Sequence, residues 1–451
     1  MDLVKEGAVE MRRLQITTLG CKVNQYESAS LVEQMKSFGW RPVLKGMPFD
    51  LCIINTCTVT QKASMQSRQA VRKAIRSNPQ AVIIVTGCYA QTDPDEIAAI
   101  SGVDYIAGHS RKFSIPQIAD SLVHGDLPRI DVEDVKRPFP FQDMPLNDFA
   151  GKTRPFLKIQ DGCDAFCSYC VVPYARGRSR SLPAKILLER VKNISDRGYK
   201  ELVLTGIHLA KYGLDLTPSM NFLHILKEIE SLAGDLRIRI SSIEPMEVSE
   251  GLIDFIARSE KVCHHLHIPL QNGDDRILRQ MNRRYSSKSY RELIEKIVAK
   301  VPDIAIGADV LAGFPGESDR SFERTASFVR QLPVAYLHVF PFSRRRQTRA
   351  LGLSDQIPPE IIKKRCAVLR EIDEEKRKRF YTRFIGQKMS VLLEETPDRR
   401  TGRLRGLTTN YIPVIIADNR GHKNRLTAVW LLRIEGKRVV GEIDQECSSF
   451  S

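Results

Sequence analysis

The chain has 451 residues, of which 42% are hydrophobic and 27% charged, with a formal net charge of +15 and a pI near 9.4. That length holds two or three hydrophobic cores. No apolar run approaches a membrane span and no signal-peptide core precedes the first strand, so a soluble chain in a reducing cytoplasm is expected, with no membrane partner. The basic balance favours a polyanionic partner, nucleic acid before an anionic membrane.

The ten cysteines are at 21, 52, 57, 88, 163, 167, 170, 263, 366 and 447. In such a chain they are expected as metal ligands or buried small hydrophobes, not disulfides. Met11, followed by Arg12-Arg13, offers an alternative start to Met1.

A first domain is expected over 12–130, an open parallel α/β sheet. Strands are predicted at Leu14–Leu19, Leu51–Asn55, Val82–Thr86 and Asp104–Ala107. Helices are predicted at Ser28–Phe38, Lys62–Arg76, Asp93–Ile100 (with Asp93 as cap before Pro94) and Ser114–Leu122. Cys21, Cys57 and Cys88 each fall just past one of the first three strands, on the edge where open α/β sheets bind ligands. They are therefore expected to converge as a three-thiolate site, the alternative being three unrelated loop cysteines. Cys52, inside a strand, reads as a buried hydrophobe. Residues 131–154, rich in Pro, Asp and Phe, read as a linker.

A second domain, 155–380, alternates strand and helix again. Strands at Phe156–Ile159, Glu201–Leu204, Arg237–Ser241, His265–Ile268, Ala305–Val310 and Tyr336–Val339 predict a partial (β/α)6 barrel, whose function gathers at the carboxyl ends of its strands. Just past the first of them runs Gly162-Cys163-Asp164-Ala165-Phe166-Cys167-Ser168-Tyr169-Cys170. Three thiolates hold three irons of a four-iron cluster and leave the fourth open to a substrate or cofactor. A zinc site is the alternative, but zinc usually wants a fourth Cys or His close by, and the next His is His208. His264, His265 and His267 tempt a metal reading too, but strand alternation splits them across two faces.

A charged helix over 360–380 carries Ile362, Cys366, Leu369 and Ile372 on one face, which places Cys366 in a core. The tail, 383–447, shows β-rich runs at Met389–Leu393, Tyr411–Ile416, Arg425–Leu432 and Arg438–Ile443, and predicts a small all-β barrel. Over 383–445 it carries 12 Lys/Arg against 7 Asp/Glu, a net +5 that suits RNA; a structural cap is the alternative.

These features together resemble the methylthiotransferase branch of the radical S-adenosylmethionine (SAM) enzymes, over nearly the whole chain, with the tail resembling its TRAM barrel. Thr18-Leu19-Gly20-Cys21-Lys22-Val23-Asn24-Gln25-Tyr26-Glu27-Ser28 and Thr205-Gly206-Ile207-His208 resemble the subgroup acting on threonylcarbamoyladenosine in tRNA. A sister group acts on isopentenyladenosine, and a third on an aspartate of a ribosomal protein; an RNA-binding protein with structural clusters is a further alternative.

The resemblance implies that Cys163, Cys167 and Cys170 hold a [4Fe–4S] cluster whose open iron chelates SAM and yields a 5′-deoxyadenosyl radical. It implies that Cys21, Cys57 and Cys88 hold an auxiliary [4Fe–4S] cluster carrying the sulfur to be inserted. Tyr169, Thr205, Gly206, Ser242, Glu244, Gln271, Asp309, Gly313 and Arg344 are implied in the cofactor pocket. Arg176, Arg178 and Arg180, with Arg344, Arg345 and Arg346, are expected to meet RNA phosphates or the cofactor carboxylate. The implied partners are a tRNA anticodon arm, a flavodoxin- or ferredoxin-like electron donor and a sulfur donor. Gln347 departs from the family, which usually has Gly before Thr348.

Overall fold

The computed structural model describes residues 12–122, 129–146, 149, 151–398, 401–416 and 423–444; Met11 and Cys447 lie outside them. The described residues form two compact units. One comprises those before Phe149 together with Val171–Arg178, the other Phe149–Cys170 and those from Ser179 onward.

The first unit is built on a parallel sheet of β1 (Arg13–Thr18), β2 (Arg41–Pro42), β3 (Leu51–Thr56), β4 (Val82–Gly87), β5 (Tyr105–Ala107) and β6 (Arg129–Asp131), in the order β2-β1-β3-β4-β5-β6. The apolar runs of β3 and β4 belong at its centre, where both faces are covered, and all six residues of β3 are buried. Cys52 is among them, as expected. The first helix is longer than its pattern suggested and spans Lys22–Ser37, beginning directly after Cys21. The Gln61–Ser77 helix is capped by Thr60, whose side chain accepts from the Ala63 N–H. Asp93 occupies the N-cap of Pro94–Ala98 but makes no capping bond; its carboxylate accepts from the Thr92 hydroxyl instead. The expected 114–122 helix is broken into three single turns.

The predicted linker is not free chain. It begins in β6, and the Tyr26 hydroxyl and Ser30 hydroxyl donate to the carbonyls of Met144 (2.9 Å) and Pro145 (2.6 Å). Val135, Met144 and Leu146 are buried, so the segment straps the first unit.

In the second unit all six predicted barrel strands form: β7 (Phe156–Lys158), then β10 (Glu201–Thr205), β11 (Arg237–Ile240), β12 (His265–His267), β13 (Ala305–Ala312) and β14 (Tyr336–Pro341). A two-stranded ribbon, β8 (Gln160–Asp161) with β9 (Arg180–Ser181), flanks the cysteine loop. Two parallel triplets, β11-β10-β7 and β12-β13-β14, are joined by the bridges Ile238↔Val262 and Ser242↔His267. The result is the expected partial barrel of six β/α units.

The Pro359–Thr382 helix buries Cys366, Leu369 and Ile372, as its periodicity predicts. It leads into a closed barrel of β15 (Lys388–Leu393), β16 (Leu404–Thr408), β17 (Pro413–Ile416), β18 (Leu426–Glu435) and β19 (Arg438–Ile443), in the order β15-β16-β17-β19-β18. Sequence reading missed β16, because Gly406 interrupts its pattern. Tyr411, from the turn between β16 and β17, stacks on His265 at 4.0 Å and lies 5.8 Å from Tyr336. Beside it Arg237 donates to the Leu407 carbonyl (2.8 Å), and Arg239 to those of Thr408 (3.1 Å) and Thr409 (3.0 Å). The small barrel thus closes one end of the large one.

Candidate active site

Cys163, Cys167 and Cys170 share one loop, partly exposed, just past β8. The loop is shaped by its surroundings, not by a ligand alone. Ser168 N–H donates to the Met281 carbonyl (3.0 Å), its hydroxyl to Gln280 (2.8 Å), and its carbonyl accepts from Ala350 N–H (2.8 Å). Phe166 is held in the left-handed region at φ 45°, with its carbonyl accepting from Asn282 (3.1 Å).

Two cationic groups face the sulfurs. Arg283 Nη1 lies 3.2 Å from Cys167 Sγ and its guanidinium is paired with Glu244. Burial pushes the Cys167 thiol up, and Arg283 pulls it back toward thiolate. His208 Nδ1 is 3.4 Å from Cys163 Sγ, and its Nε2 is 2.7 Å from Glu247. Burial opposes its charge, but the thiol and Glu247 outweigh that and raise the imidazole to about 10. Beside these groups opens a cavity of about 320 Å³ whose walls include Cys167, His208, Lys211, Glu244, Glu247, Arg283 and Tyr285. It pairs carboxylates with cations, the complement of an amino acid's ammonium and carboxylate.

Gln160, which carries no motif and was not expected at the site, ties its two sides together. Fully buried, it accepts from the N–H groups of Ile207 (2.9 Å) and His208 (2.7 Å) and donates to Gly162 carbonyl (2.8 Å) and Ser179 hydroxyl (2.9 Å). Gln160→Ala is expected to cost about 1–3 kcal/mol for each buried partner left unpaired. Chemical denaturation and the iron content of the reconstituted variant check this.

The remaining expected pocket residues divide. Thr205 ends β10 and Gly206 follows it, and the place of a Gly206 side chain is taken by Gln160 at 3.0 Å. Ser242 is exposed, and Glu244 lines the cavity. Gln271 adopts φ 67° and pairs by backbone with β13. Tyr169 packs against the cluster of Ile277, Met281, Phe314 and Phe342, the role of a packing aromatic. Gly313 has φ +81°, but the room beside it is filled by Ile362, so its close approach serves helix packing. Asp309 is engaged by two histidines, not open toward the cavity. Arg344 donates to Gln356 (3.0 Å) on the surface. Arg176 and Arg180 correct their expectation as RNA contacts. Both are buried and ion-paired, Arg176 to Glu27 (3.0 Å) and Arg180 to Asp161 (3.1 Å); only Arg178 of the three is exposed. Gln347 is not among the positive-φ residues, so the turn there needs no glycine.

In the first unit, Cys21 occupies the N-cap of the Lys22–Ser37 helix, Cys57 follows β3, and Cys88 follows β4 and opens its own helical turn. They approach closely enough to act on one another electrostatically. At Gly20, φ +96°, a side chain would meet Cys57 Sγ at 2.8 Å. Burial pushes Cys57 up and Cys88 to about 12, while the Arg176 guanidinium opposes both shifts. Arg176 shares Glu27 with Lys112, both cations buried, so positive charge is stored beside the thiols. His109, also missed from sequence, places Nε2 3.7 Å from Cys88 Sγ.

The described residues contain one trio of Cys, His, Asp or Glu with donor atoms within 4.8 Å of one another, and it is neither cysteine trio. A single tetrahedral zinc, with Zn–S about 2.3 Å, needs thiolates about 3.8 Å apart. Two trios of wider spacing, each beside buried cations, fit multi-iron clusters with an open position.

On the C-terminal barrel, β18 turns Leu426, Trp430 and Leu432 outward, with Lys388 Nζ 5.8 Å from the Trp430 ring. An exposed aromatic among cations suits an unpaired base.

Residues 13–108 match the uncharacterized protein family UPF0004, and 157–329 match the radical SAM superfamily. The chain is 34% identical to threonylcarbamoyladenosine tRNA methylthiotransferase MtaB of Bacillus subtilis, covering 94% of each chain. It is 38% identical to the MtaB of Rickettsia prowazekii, over 89% of this chain and 91% of that one. A tRNA-2-methylthio-N(6)-dimethylallyladenosine synthase of Clostridium botulinum is 30% identical, over 95% and 96%. Among solved structures, the radical SAM methyltransferase TsrM of Kitasatospora setae gives a TM-score of 0.56 at 13% identity, covering 76% of this chain and 75% of that one, a likeness of fold alone. No helix among the described residues is long and apolar enough to cross a membrane. With two cysteine trios at strand ends and relatives of this kind over about nine-tenths of its length, the chain belongs to the radical SAM methylthiotransferase family, in its MtaB-type subgroup.

Proposed function

We propose that this protein converts N6-threonylcarbamoyladenosine, next to the anticodon of tRNA, to its 2-methylthio derivative. The observation that carries the reading is the pair of separate three-cysteine sites, each leaving one iron of a four-iron cluster free. The carbon to be modified is neither acidic nor a good electrophile, so the reaction calls for a radical. The clusters and SAM supply that chemistry when bound.

The protein's own residues hold, orient and shield. Cys163, Cys167 and Cys170 would hold the SAM-binding cluster, and Cys21, Cys57 and Cys88 an auxiliary one that would supply the sulfur. Arg283 and His208 hydrogen-bond two of the ligand sulfurs, which fixes the loop and tunes the cluster electronically. Glu244 and Glu247 line the cavity beside Cys167 and would accept from the amino group of the cofactor, and Lys211 would donate to its carboxylate. Arg344 and Arg346, both exposed, and the outer face of β18 take the anticodon arm, mainly through phosphates. A flavodoxin- or ferredoxin-like protein supplies electrons, and the enzyme works in the cytoplasm.

Mass spectrometry of tRNA nucleosides from a deletion strain tests this. The 2-methylthio-threonylcarbamoyladenosine peak should disappear and the unmethylthiolated nucleoside accumulate. An unchanged 2-methylthio pool would sink the reading, and loss of only the isopentenyl derivative would move it to the sister substrate.

A further inference from the structure

Three side chains that the cofactor chemistry leaves unused meet inside the six-strand barrel. His267 ends β12, and Asp309 of β13 lies directly beside His338 of β14, since the two are register partners. His267 Nε2 is 2.7 Å, and His338 Nδ1 3.4 Å, from the same oxygen, Asp309 Oδ1. Their donor atoms form the one trio within 4.8 Å among the described residues. The His267 side chain is 8% exposed, that of Asp309 22% and that of His338 48%, so the group is anchored at one end and open at the other.

The remaining nitrogen of His267 is also placed. Nδ1 lies 3.2 Å from the Tyr336 hydroxyl, which is 2.9 Å from His265 Nε2. A hydroxyl between two imidazoles donates to only one of them. When it donates to His265 it accepts from His267 Nδ1–H, and an ion held by Nε2 would then take the place of the proton that otherwise joins this nitrogen to Asp309 Oδ1. That is the tautomer of a metal-bound imidazole with its second nitrogen fixed by a neighbour. Two imidazoles and one carboxylate, with positions left open, are a donor set for a divalent first-row transition ion.

We propose that His267, Asp309 and His338 bind such an ion, separate from the cysteine clusters, and that its open positions take the carboxylate and hydroxyl of the substrate's threonylcarbamoyl group. The second half rests on the function proposed above. The physical reason is charge. A threonyl carboxylate approaching Asp309 directly would meet a like charge, whereas a shared cation joins the two. An isopentenyl group offers no oxygen ligand, so the same ion would also discriminate between the two adenosines.

The test uses the enzyme with both clusters reconstituted, dialysed against zinc and then against metal-free buffer, with elemental analysis. Wild type should retain about one zinc per chain. Asp309→Asn and His338→Ala should retain almost none, with iron content unchanged; His338 is half-exposed on an edge strand, so its loss spares the fold. Equal zinc in wild type and variants, or none in any, overturns the site and leaves a hydrogen-bonded His–Asp–His relay.

A second arm measures binding of an anticodon stem-loop bearing threonylcarbamoyladenosine, and of one bearing plain adenosine, with and without zinc. Zinc should strengthen the first about tenfold and leave the second unchanged, as expected for a ligand with oxygen donors. An equal effect on both removes the substrate half while the metal site stands. A protein that binds zinc but forms no 2-methylthio product on that tRNA would refute the function instead.

Discussion

Cys170→Ala is expected to lose about four of about eight irons per chain and all 2-methylthio product, since two ligand cysteines cannot retain a site-open four-iron cluster. The loop itself should survive. Its shape is set by the bonds of Ser168 to Met281, Gln280 and Ala350 and by Asn282, none of which involves the Cys170 sulfur. Cys366→Ala is the control, because that thiol is buried in the face of the Pro359–Thr382 helix. It should cost some stability and no iron. Iron and sulfide analysis with Mössbauer spectra, alongside a Cys21/Cys57/Cys88→Ala triple variant, separates the two clusters. Product formed by Cys170→Ala would return the chain to an RNA-binding protein with structural iron.

Glu201→Ala should be the most destabilising single change in the second unit. The carboxylate is wholly buried at the start of β10 and accepts from Arg237 Nε (2.6 Å) and Arg239 Nε (2.7 Å), with Arg154 at 3.8 Å. Removing it leaves buried guanidinium groups without a counter-charge, which costs about 3–5 kcal/mol. Urea denaturation should show it as a lower midpoint, and a loss under about 1 kcal/mol would mean that the arginines are already satisfied by the carbonyls they reach. The pH dependence has a definite sign. Burial alone would raise the Glu201 carboxyl, but Arg239 and Arg237 more than offset it and hold it far below the usual range. The folded state therefore binds this proton more weakly than the unfolded state. Its contribution is complete above the ordinary glutamate value and fades as pH falls toward the depressed one. The wild type should lose stability at acidic pH more steeply than Glu201→Gln.

The sequence revealed the frame well and the side-chain wiring poorly. Buried central strands such as β3, β4 and β13 announce themselves through continuous apolar runs, and a helical face such as Cys366, Leu369 and Ile372 through its period. The thiols of both sites were legible because strand ends place them. What escaped depends on pairing or on where a side chain turns. β2 is two residues long and exists only through its bond to β1. β6, Arg129–Asp131, straddles the boundary where the first domain was expected to give way to linker. Gln160 has no motif, and its weight comes from three polar partners brought by other segments, Ser179, Ile207 and His208. Arg176 looked like an RNA contact from its neighbours in sequence, yet its guanidinium turns inward to Asn24 and Glu27. His267 was weighed beside His264 and His265, its neighbours in sequence, whereas its partners Asp309 and His338 come from two other strands, side by side in the β13–β14 register.

Tyr411, reaching from the small barrel to stack on His265, changes what that C-terminal module is. A chain cut near residue 383 would not be a minimal catalyst freed of its RNA handle. It would have lost the floor of its own reaction chamber, with Arg237 and Arg239 facing water where carbonyls had been. Swapping the module between relatives is therefore a graft of a tight joint, and it should succeed only when the tyrosine and the two arginines beneath it travel together.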